Sequence, residues 1–461
     1  MEKQFSGRYY TRKKLALNLI ETIVSQHKKR KTKTLSVIDP FAGDGRLVKW
    51  LIEAYEASIS SDVNWNITLW DVNHDGLITA EKELKGSAFS DRIKLNVMAG
   101  DAFVNAARNA PLNYEDQFDF VITNPPWEVI KPDQRYLKKI PSFEERQQVV
   151  ARLKCYDEFL KDNFPLSQPK TKFAGWGTDL SRVGLELCFN LSKSGGYVAI
   201  VLPNSFLADH KSSKIREHAL SSTKLKNLTV YPAEARLFEG ADVGAITCLF
   251  EKVAANSQSF ELELFDSEAS SLSVSKICLT KQKLEQLNYI LPVEAGVEAT
   301  KLIYDLSDKF FPLSTLENSL ENGLWLGREL DETGSKGWLN RECSGPLFAK
   351  GRMISRYSFI EDLTEKINKP NWRPPASSSF NRIIWRDVSR KNQKRRMIAT
   401  ILEAGPVAGN SLGVGYIRDN NKDNLQILLG IFNSMVFEFQ LRCYLATGHV
   451  SLSALRKVRV P

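Results

Sequence analysis

Asn124-Pro125-Pro126-Trp127 is the segment of this 461-residue chain whose residue types and order could do chemistry. An exocyclic amine conjugated to an aromatic ring is a poor nucleophile because its lone pair is delocalised. An Asn side-chain oxygen and the Pro125 backbone carbonyl, both accepting from such an NH₂ group, would favour pyramidalisation and aim the lone pair at a methyl donor. Two prolines fix the direction of that carbonyl, and Trp127 offers a face on which a base can stack. No metal and no strong base are required, since the amine becomes more acidic as it is alkylated. The competing reading is an ordinary Asn-Pro turn after a strand.

A methyl donor needs a site, and three acids at strand ends are candidates for it. Asp39-Pro40-Phe41-Ala42-Gly43-Asp44-Gly45 joins a β-rich run to a helical one, a tight turn that lets a ligand approach backbone at the carboxyl edge of a sheet. It lacks the GxGxxG pattern, and its two carboxylates would repel a pyrophosphate while suiting a ligand with positive charge. S-adenosylmethionine carries both an ammonium and a sulfonium. Asp71, after the second strand, could accept from ribose hydroxyls, and Asp101, after the third, from the adenine amino group. Singly each is a common strand-end Asp; in register on successive strands they make adenosylmethionine the expected cofactor. Asp71, Asn73, Asp75 and Gly76 also imitate a calcium loop, but its twelfth position is Lys82, a cation where a bidentate Glu is needed. No metal site is expected.

These residues need a parallel sheet to hold them. Strand-like runs fall at 35–39, 66–71, 94–101, 118–123, 196–203, 225–231 and 245–251, and helical periodicity at 11–27, 46–58, 77–87, 143–163, 180–193 and 211–221. The alternation predicts an α/β fold, a doubly wound, mostly parallel seven-stranded sheet closed by an antiparallel pair. After about 255 the pieces shorten and Ser, Asn, Gly and Pro become frequent, which predicts a mixed α+β second domain ending in one helix over 425–446. The expected domains are therefore 1–255 and 256–461.

Charge is unevenly spread. Residues 1–50 carry twelve Lys/Arg against four Asp/Glu, residues 251–350 ten against sixteen, and residues 351–400 twelve against four. In the last block Arg352, Arg356, Lys369, Arg373, Arg382, Arg386, Arg390, Lys391, Lys394 and Arg395 are interleaved with aromatics and prolines, a mixture suited to phosphate contact plus base stacking. They are the expected DNA-binding residues. The six cysteines form no CxxC pair, so a zinc site and a disulfide framework lack support. With no long apolar run and no apolar core at the N-terminus, the chain reads as cytoplasmic, with no membrane partner.

The order of these motifs resembles the gamma class of adenine-N6 DNA methyltransferases, the TaqI-like enzymes of type II restriction-modification systems. The resemblance covers most of 8–251: Tyr9-Tyr10-Thr11-Arg12 in the place of an N-terminal Thr-containing motif, then DPFAGDG, Asp71, Asp101 and NPPW, a Gly-Gly strand within 185–207, and YPAEARLFEGADVGAITCLF at 231–250. It continues weakly through 346–362 and 445–461. It implies a Rossmann-like methyltransferase fold with a C-terminal target-recognition domain, adenosylmethionine bound by Tyr10, Thr11, Asp39, Phe41, Ala42, Gly43, Asp71, Asp101, Ala102 and Asn124, and a target base stacked between Trp127 and Phe238. Ala102 departs from the class, which has an aromatic there to pack on the cofactor's adenine; Phe103 or Phe41 is expected to substitute. The charge- and proline-rich stretch 128–179 also departs, and is a candidate for ordering on DNA.

The expected function is thus site-specific methylation of duplex DNA at adenine N6, with the target flipped from the helix, by a prokaryotic, DNA-associated monomer. Its second domain would read bases across a basic cleft, and a cognate restriction endonuclease would be carried on a separate chain. Alternative readings keep the NPPW chemistry for RNA adenine or protein glutamine, or make the chain a non-catalytic DNA specificity subunit.

Overall fold

Strand β1 (Thr34–Asp39) lies inside the sheet of a computed structural model that describes residues 11–27, 32–59, 62–170, 177–238, 243–318, 323–342, 344–360, 363, 365–389, 393–445 and 448–461. It is followed by β2 (Asn64–Asp71), β3 (Ile93–Ala99), β4 (Phe118–Thr123), β5 (Ser192–Pro203), β6 (Lys224–Tyr231), β7 (Ala245–Glu251), β8 (Ser257–Phe265) and β9 (Ser271–Thr280). Their spatial order is β3-β2-β1-β4-β5-β7-β6-β8-β9. Strands β1 to β5 run parallel to one another, and β7 enters antiparallel between β5 and β6, the expected antiparallel pair.

The sheet has nine strands rather than the expected seven. Strand β8 pairs parallel with β6, and β9 antiparallel with β8. Gln258, Phe260 and Leu262 alternate inward with exposed Ser and Glu between them, so the segment reads as polar in sequence although one face is core. For that reason the chain divides into compact units at Val297/Glu298, not at 255.

The helices lying within the first unit, among the described residues, are α1 (Lys13–His27), α2 (Arg46–Ser58), α3 (His74–Lys85), α4 (Ala102–Asn105), α5 (Gln134–Leu137), α6 (Phe143–Asn163), α7 (Leu180–Leu191), α8 (Ser213–Ser222) and α9 (Lys281–Gln286). Leu15, Leu19, Ile20 and Ile23 of α1 share a fully buried core with Val37, Leu69, Ile122 and Ala199. The alternate strand residues Ile38, Val121, Val198 and Ile200 are equally buried on the other face, where α7 packs on β4 and β5. Two covered faces explain why these strands are near-continuous apolar runs. The imitation calcium loop is not a loop, since residues 74–85 form α3.

The second unit is mixed α+β. Strands Leu324–Gly327, Leu412–Ile417, Arg382–Arg386 and Ala399–Leu402 form an antiparallel sheet in that order. In place of one C-terminal helix there are two, Lys422–Phe432 and Met435–Tyr444. Asn433 ends the first, and the Ser434 hydroxyl caps the second by accepting from the Phe437 amide at 3.1 Å. Among the described residues, no helix is long and apolar enough to cross a membrane.

Candidate cofactor and catalytic site

The carboxyl ends of β1, β2, β3 and β4 deliver the predicted residues to one edge of the sheet. The turn after β1 is tied to β2 at two points: the Ala42 amide donates to the Trp70 carbonyl at 2.9 Å, and the Gly43 amide to Asp71 Oδ2 at 2.7 Å. Asp71 Oδ1 accepts from the Asn73 amide at 2.7 Å. Each Asp71 oxygen so engaged keeps a second lone pair, which is what a ribose diol would use. Gly45 turns into α2 with φ +72°, and a Cβ there would stand 2.6 Å from the Ala80 Cβ, so both backbone conformation and packing demand glycine.

Asp39 is fully buried. Its Oδ1 accepts from the Thr123 hydroxyl at 2.6 Å and the Phe41 amide at 3.1 Å, which ties the end of β1 to the residue preceding Asn124. Burial pushes its carboxyl from 3.8 up to about 7, with Asp71 and Asp44 adding to the rise and the two hydrogen bonds opposing it. Asp44 is ion-paired with Arg46. Of the two carboxylates that the sequence places in this turn, Asp44 is compensated by an arginine and Asp39 is pushed up to about 7 by burial.

Asp101 caps α4 through Oδ1, accepting from the Phe103 amide at 2.8 Å, and its Oδ2 accepts from the Tyr156 hydroxyl at 2.6 Å. Ala102 is buried. Phe103 is 2% exposed and packs on Phe164 with centroids 5.8 Å apart, so of the two expected substitutes for the missing aromatic only half-buried Phe41, 5.2 Å from Phe103, keeps a face for a ligand. Thr11 is buried just ahead of α1. Tyr10 lies outside the described residues.

Asn124-Pro125-Pro126-Trp127 follows β4 directly. The turn is seated by Gly184 of α7: a Cβ there would come within 2.5 Å of the Pro125 Cβ and 3.5 Å of the Phe41 ring. Glycine thus lets one helix touch both the Asn-Pro-Pro-Trp turn and the β1 turn. Trp127 packs against the core, and its ring meets buried Phe238 edge to face, with centroids 4.8 Å apart. Sequence reasoning missed Thr123, Gly184 and Tyr156, because each acts through a contact made across the fold. Only Thr123 carried a signal, as the residue preceding the motif.

The residues present fit adenosylmethionine. Asp71 offers paired acceptors, Asp39 Oδ2 is buried with no hydrogen-bond partner among the described residues, and Phe41 flanks the turn.

In the second unit the predicted DNA-binding residues divide. Arg352, Arg356, Lys369, Arg373 and Lys394 are exposed. Arg356 and Tyr357 form the tip of the hairpin Ile354–Ser355/Ser358–Phe359, where Tyr357 takes φ +68° and is 56% exposed. Lys369 lies over the Trp338 ring at 5.0 Å. Arg386 and Arg395 are half-buried and donate to the carbonyls of Ile354 and Asn433. Arg382 corrects the expectation: it is fully buried, paired at 2.6 Å with an equally buried Glu329, and donates to the carbonyls of Glu403 and Pro406. It opens the strand Arg382–Arg386 with its side chain fully buried, so it cannot reach a phosphate. Arg390 and Lys391 lie outside the described residues.

The family model described as Eco57I restriction-modification methylase matches residues 11–238. No curated protein matches the sequence. Among solved structures, the chain is similar to a nuclease-deletion mutant of the Type ISP restriction-modification enzyme LlaGI in complex with a DNA substrate mimic, with 11% identity, TM-score 0.56, and coverage of 94% of this chain and 44% of that one. It is also similar to DrdV in a DNA complex, with 11% identity, TM-score 0.54, and coverage of 88% and 48%. At such identity the likeness is one of fold. The chain spans about half the length of either protein. The nine-stranded, mostly parallel sheet with helices on both faces is a Rossmann-like α/β fold.

Proposed function

We propose that this protein is a site-specific DNA methyltransferase that transfers a methyl group from S-adenosylmethionine to the N6 amine of adenine, as the modification activity of a restriction-modification system. The observation that carries the reading is the placement of Asn124-Pro125-Pro126-Trp127 at the end of β4, one strand from the β1 turn and on the same sheet edge as Asp71 and Asp101. The family matched over 11–238 and the gamma-class order of motifs support it.

When bound, the cofactor supplies an electrophilic methyl group on a sulfonium. Everything else falls to the chain. The Asn124 side-chain oxygen and the Pro125 carbonyl accept the two amine hydrogens, drawing the nitrogen towards a tetrahedral shape and presenting its lone pair. Gly184 and Thr123 hold the ends of that turn, so the acceptors are preorganised and the acceleration comes from orientation and fixed dipoles. Trp127 supplies the stacking face, with Phe238 beside it. The exposed Arg and Lys side chains of residues 351–400 supply phosphate contacts that hold duplex DNA.

Incubation with methyl-labelled adenosylmethionine and, separately, duplex DNA, RNA and protein extract tests the reading. Label is expected in duplex DNA, recovered as N6-methyladenine. Label confined to RNA or to protein glutamine overturns the substrate assignment, and no transfer to any of them overturns the enzymatic one.

A further inference from the structure

The helix inserted between β4 and α7 reaches the cofactor edge of the sheet. Three contacts run from the C-terminal half of α6 and the Phe164 that ends it to α4 and the residues flanking it. The Tyr156 hydroxyl donates to Asp101 Oδ2 at 2.6 Å, Asn163 Oδ1 accepts from the Arg108 amide at 3.2 Å, and Phe164 packs on Phe103 at 5.8 Å between centroids. The insertion's root closes immediately after Trp127: the Leu180 amide donates to the Glu128 carbonyl, and the Ile130 amide to the Thr178 carbonyl, both at 2.8 Å. Asp157, beside Tyr156, is fully buried and accepts from the Thr178 amide at 2.7 Å, which fixes the turn of helix that carries the tyrosine. The segment therefore starts at the catalytic turn and ends on the carboxylate expected to meet the adenine.

Resting on the methyltransferase reading above, we propose that Tyr156 is a positioning residue for the cofactor's adenine, orienting Asp101 and so coupling the inserted segment to cofactor binding. A carboxylate held at one oxygen can still swing about its side-chain torsion. With the Phe103 amide on Oδ1 and the Tyr156 hydroxyl on Oδ2 it is held at both. Oδ2 then has one lone pair left, in a fixed direction, for a single further donor such as an exocyclic amine. Burial and the neighbouring Asp101 both raise the Tyr156 pKa, so the phenol stays protonated and remains the donor. The hydrogen bond is charge-assisted, the stronger kind.

The test compares two ligands on the full chain by titration calorimetry: S-adenosylhomocysteine, and its inosine counterpart, in which an oxo group replaces the amine. Wild type is expected to favour the adenosyl ligand. Tyr156→Phe should shrink that preference about tenfold, the scale of one hydrogen bond to a charged group, by weakening the adenosyl ligand while leaving the inosyl one unchanged. Tyr156→His, which keeps a ring and a donor, should recover part of the preference, and it provides the reading if the Phe variant does not fold. Equal weakening of both ligands would reduce Tyr156 to a structural prop and overturn the inference, as would an unchanged preference. Failure of the wild type to bind S-adenosylhomocysteine would overturn the methyltransferase reading itself, before any variant is made.

Discussion

The ring of Trp127 meets that of Phe238 edge to face, centroids 4.8 Å apart and planes inclined at 65°. A base sandwiched between two rings needs about 7 Å, two contacts of about 3.5 Å. At this separation no base fits between the rings, so the proposed stacking of a base between Trp127 and Phe238 entails their moving apart.

Phe238→Ala removes one wall of that pair. In duplexes carrying 2-aminopurine at the methylated position, the flipped analogue should be brighter on the variant than on wild type. Duplex affinity should fall by about tenfold, since stacking on an aromatic is worth about 1–3 kcal/mol per base. Equal fluorescence from the two proteins would remove Phe238 from the pocket.

Asn124→Ala should lose methyl transfer by at least about 10²-fold, the scale for removing one preorganised hydrogen-bonding group. S-adenosylhomocysteine affinity should fall far less than turnover, because Asn124 is only one of the ten residues expected to hold the cofactor. Unchanged turnover in single-turnover assays would show that the amine is held elsewhere.

Gly184→Ala places a methyl 2.5 Å from the Pro125 Cβ. Overpacking of this kind costs about 1–3 kcal/mol, and the displaced turn should cut turnover by about 10²-fold, as a shift of about 1 Å can. The folded protein should still bind cofactor; activity equal to wild type would show that the turn tolerates displacement.

Asp39 gives a pH dependence with a defined sign. Its folded-state pKa is about 7, raised from 3.8, so between those values the folded protein holds a proton that the unfolded chain has released. That stabilisation is complete below about pH 4 and is lost as pH rises to about 7, at about 1.4 kcal/mol per pH unit. Melting temperatures measured from pH 4 to 8 should fall less steeply for Asp39→Asn than for wild type. Parallel curves would show that Asp39 titrates normally.

Two arginines of the basic block should behave oppositely. Arg382→Ala strands the buried Glu329 carboxylate and should destabilise the protein by about 3–5 kcal/mol. Exposed Arg356→Ala should leave the denaturation midpoint in place while weakening duplex binding and flattening its salt dependence. A normal midpoint for the Arg382 variant would contradict the burial argument.

Much of the scaffold was legible from local pattern. The seven strands from 35 to 251 and helix 143–163 follow from apolar runs and periodicity, which depend on neighbours in sequence. Strands β8 and β9 were not, because their exposed faces are polar and only pairing to β6 makes them sheet. The single expected C-terminal helix broke at Asn433-Ser434, where side-chain capping outcompetes an apolar run that continues on both sides.

The sequence by itself determined the chemistry on offer: an Asn-Pro-Pro-Trp turn, a glycine-rich turn between acids, and the strands that bring them to one edge. Those depend on residue type and spacing, which a linear pattern carries. Only the tertiary structure decided the charge states and the partners. Asp39 and Arg382 look like any Asp and Arg in the chain, yet burial moves the pKa of one and ties the other to Glu329. Tyr156 and Asp101 are 55 positions apart and meet only because an inserted helix folds back onto the sheet edge. Desolvation and long-range contact are properties of the packed chain, and no local pattern encodes them.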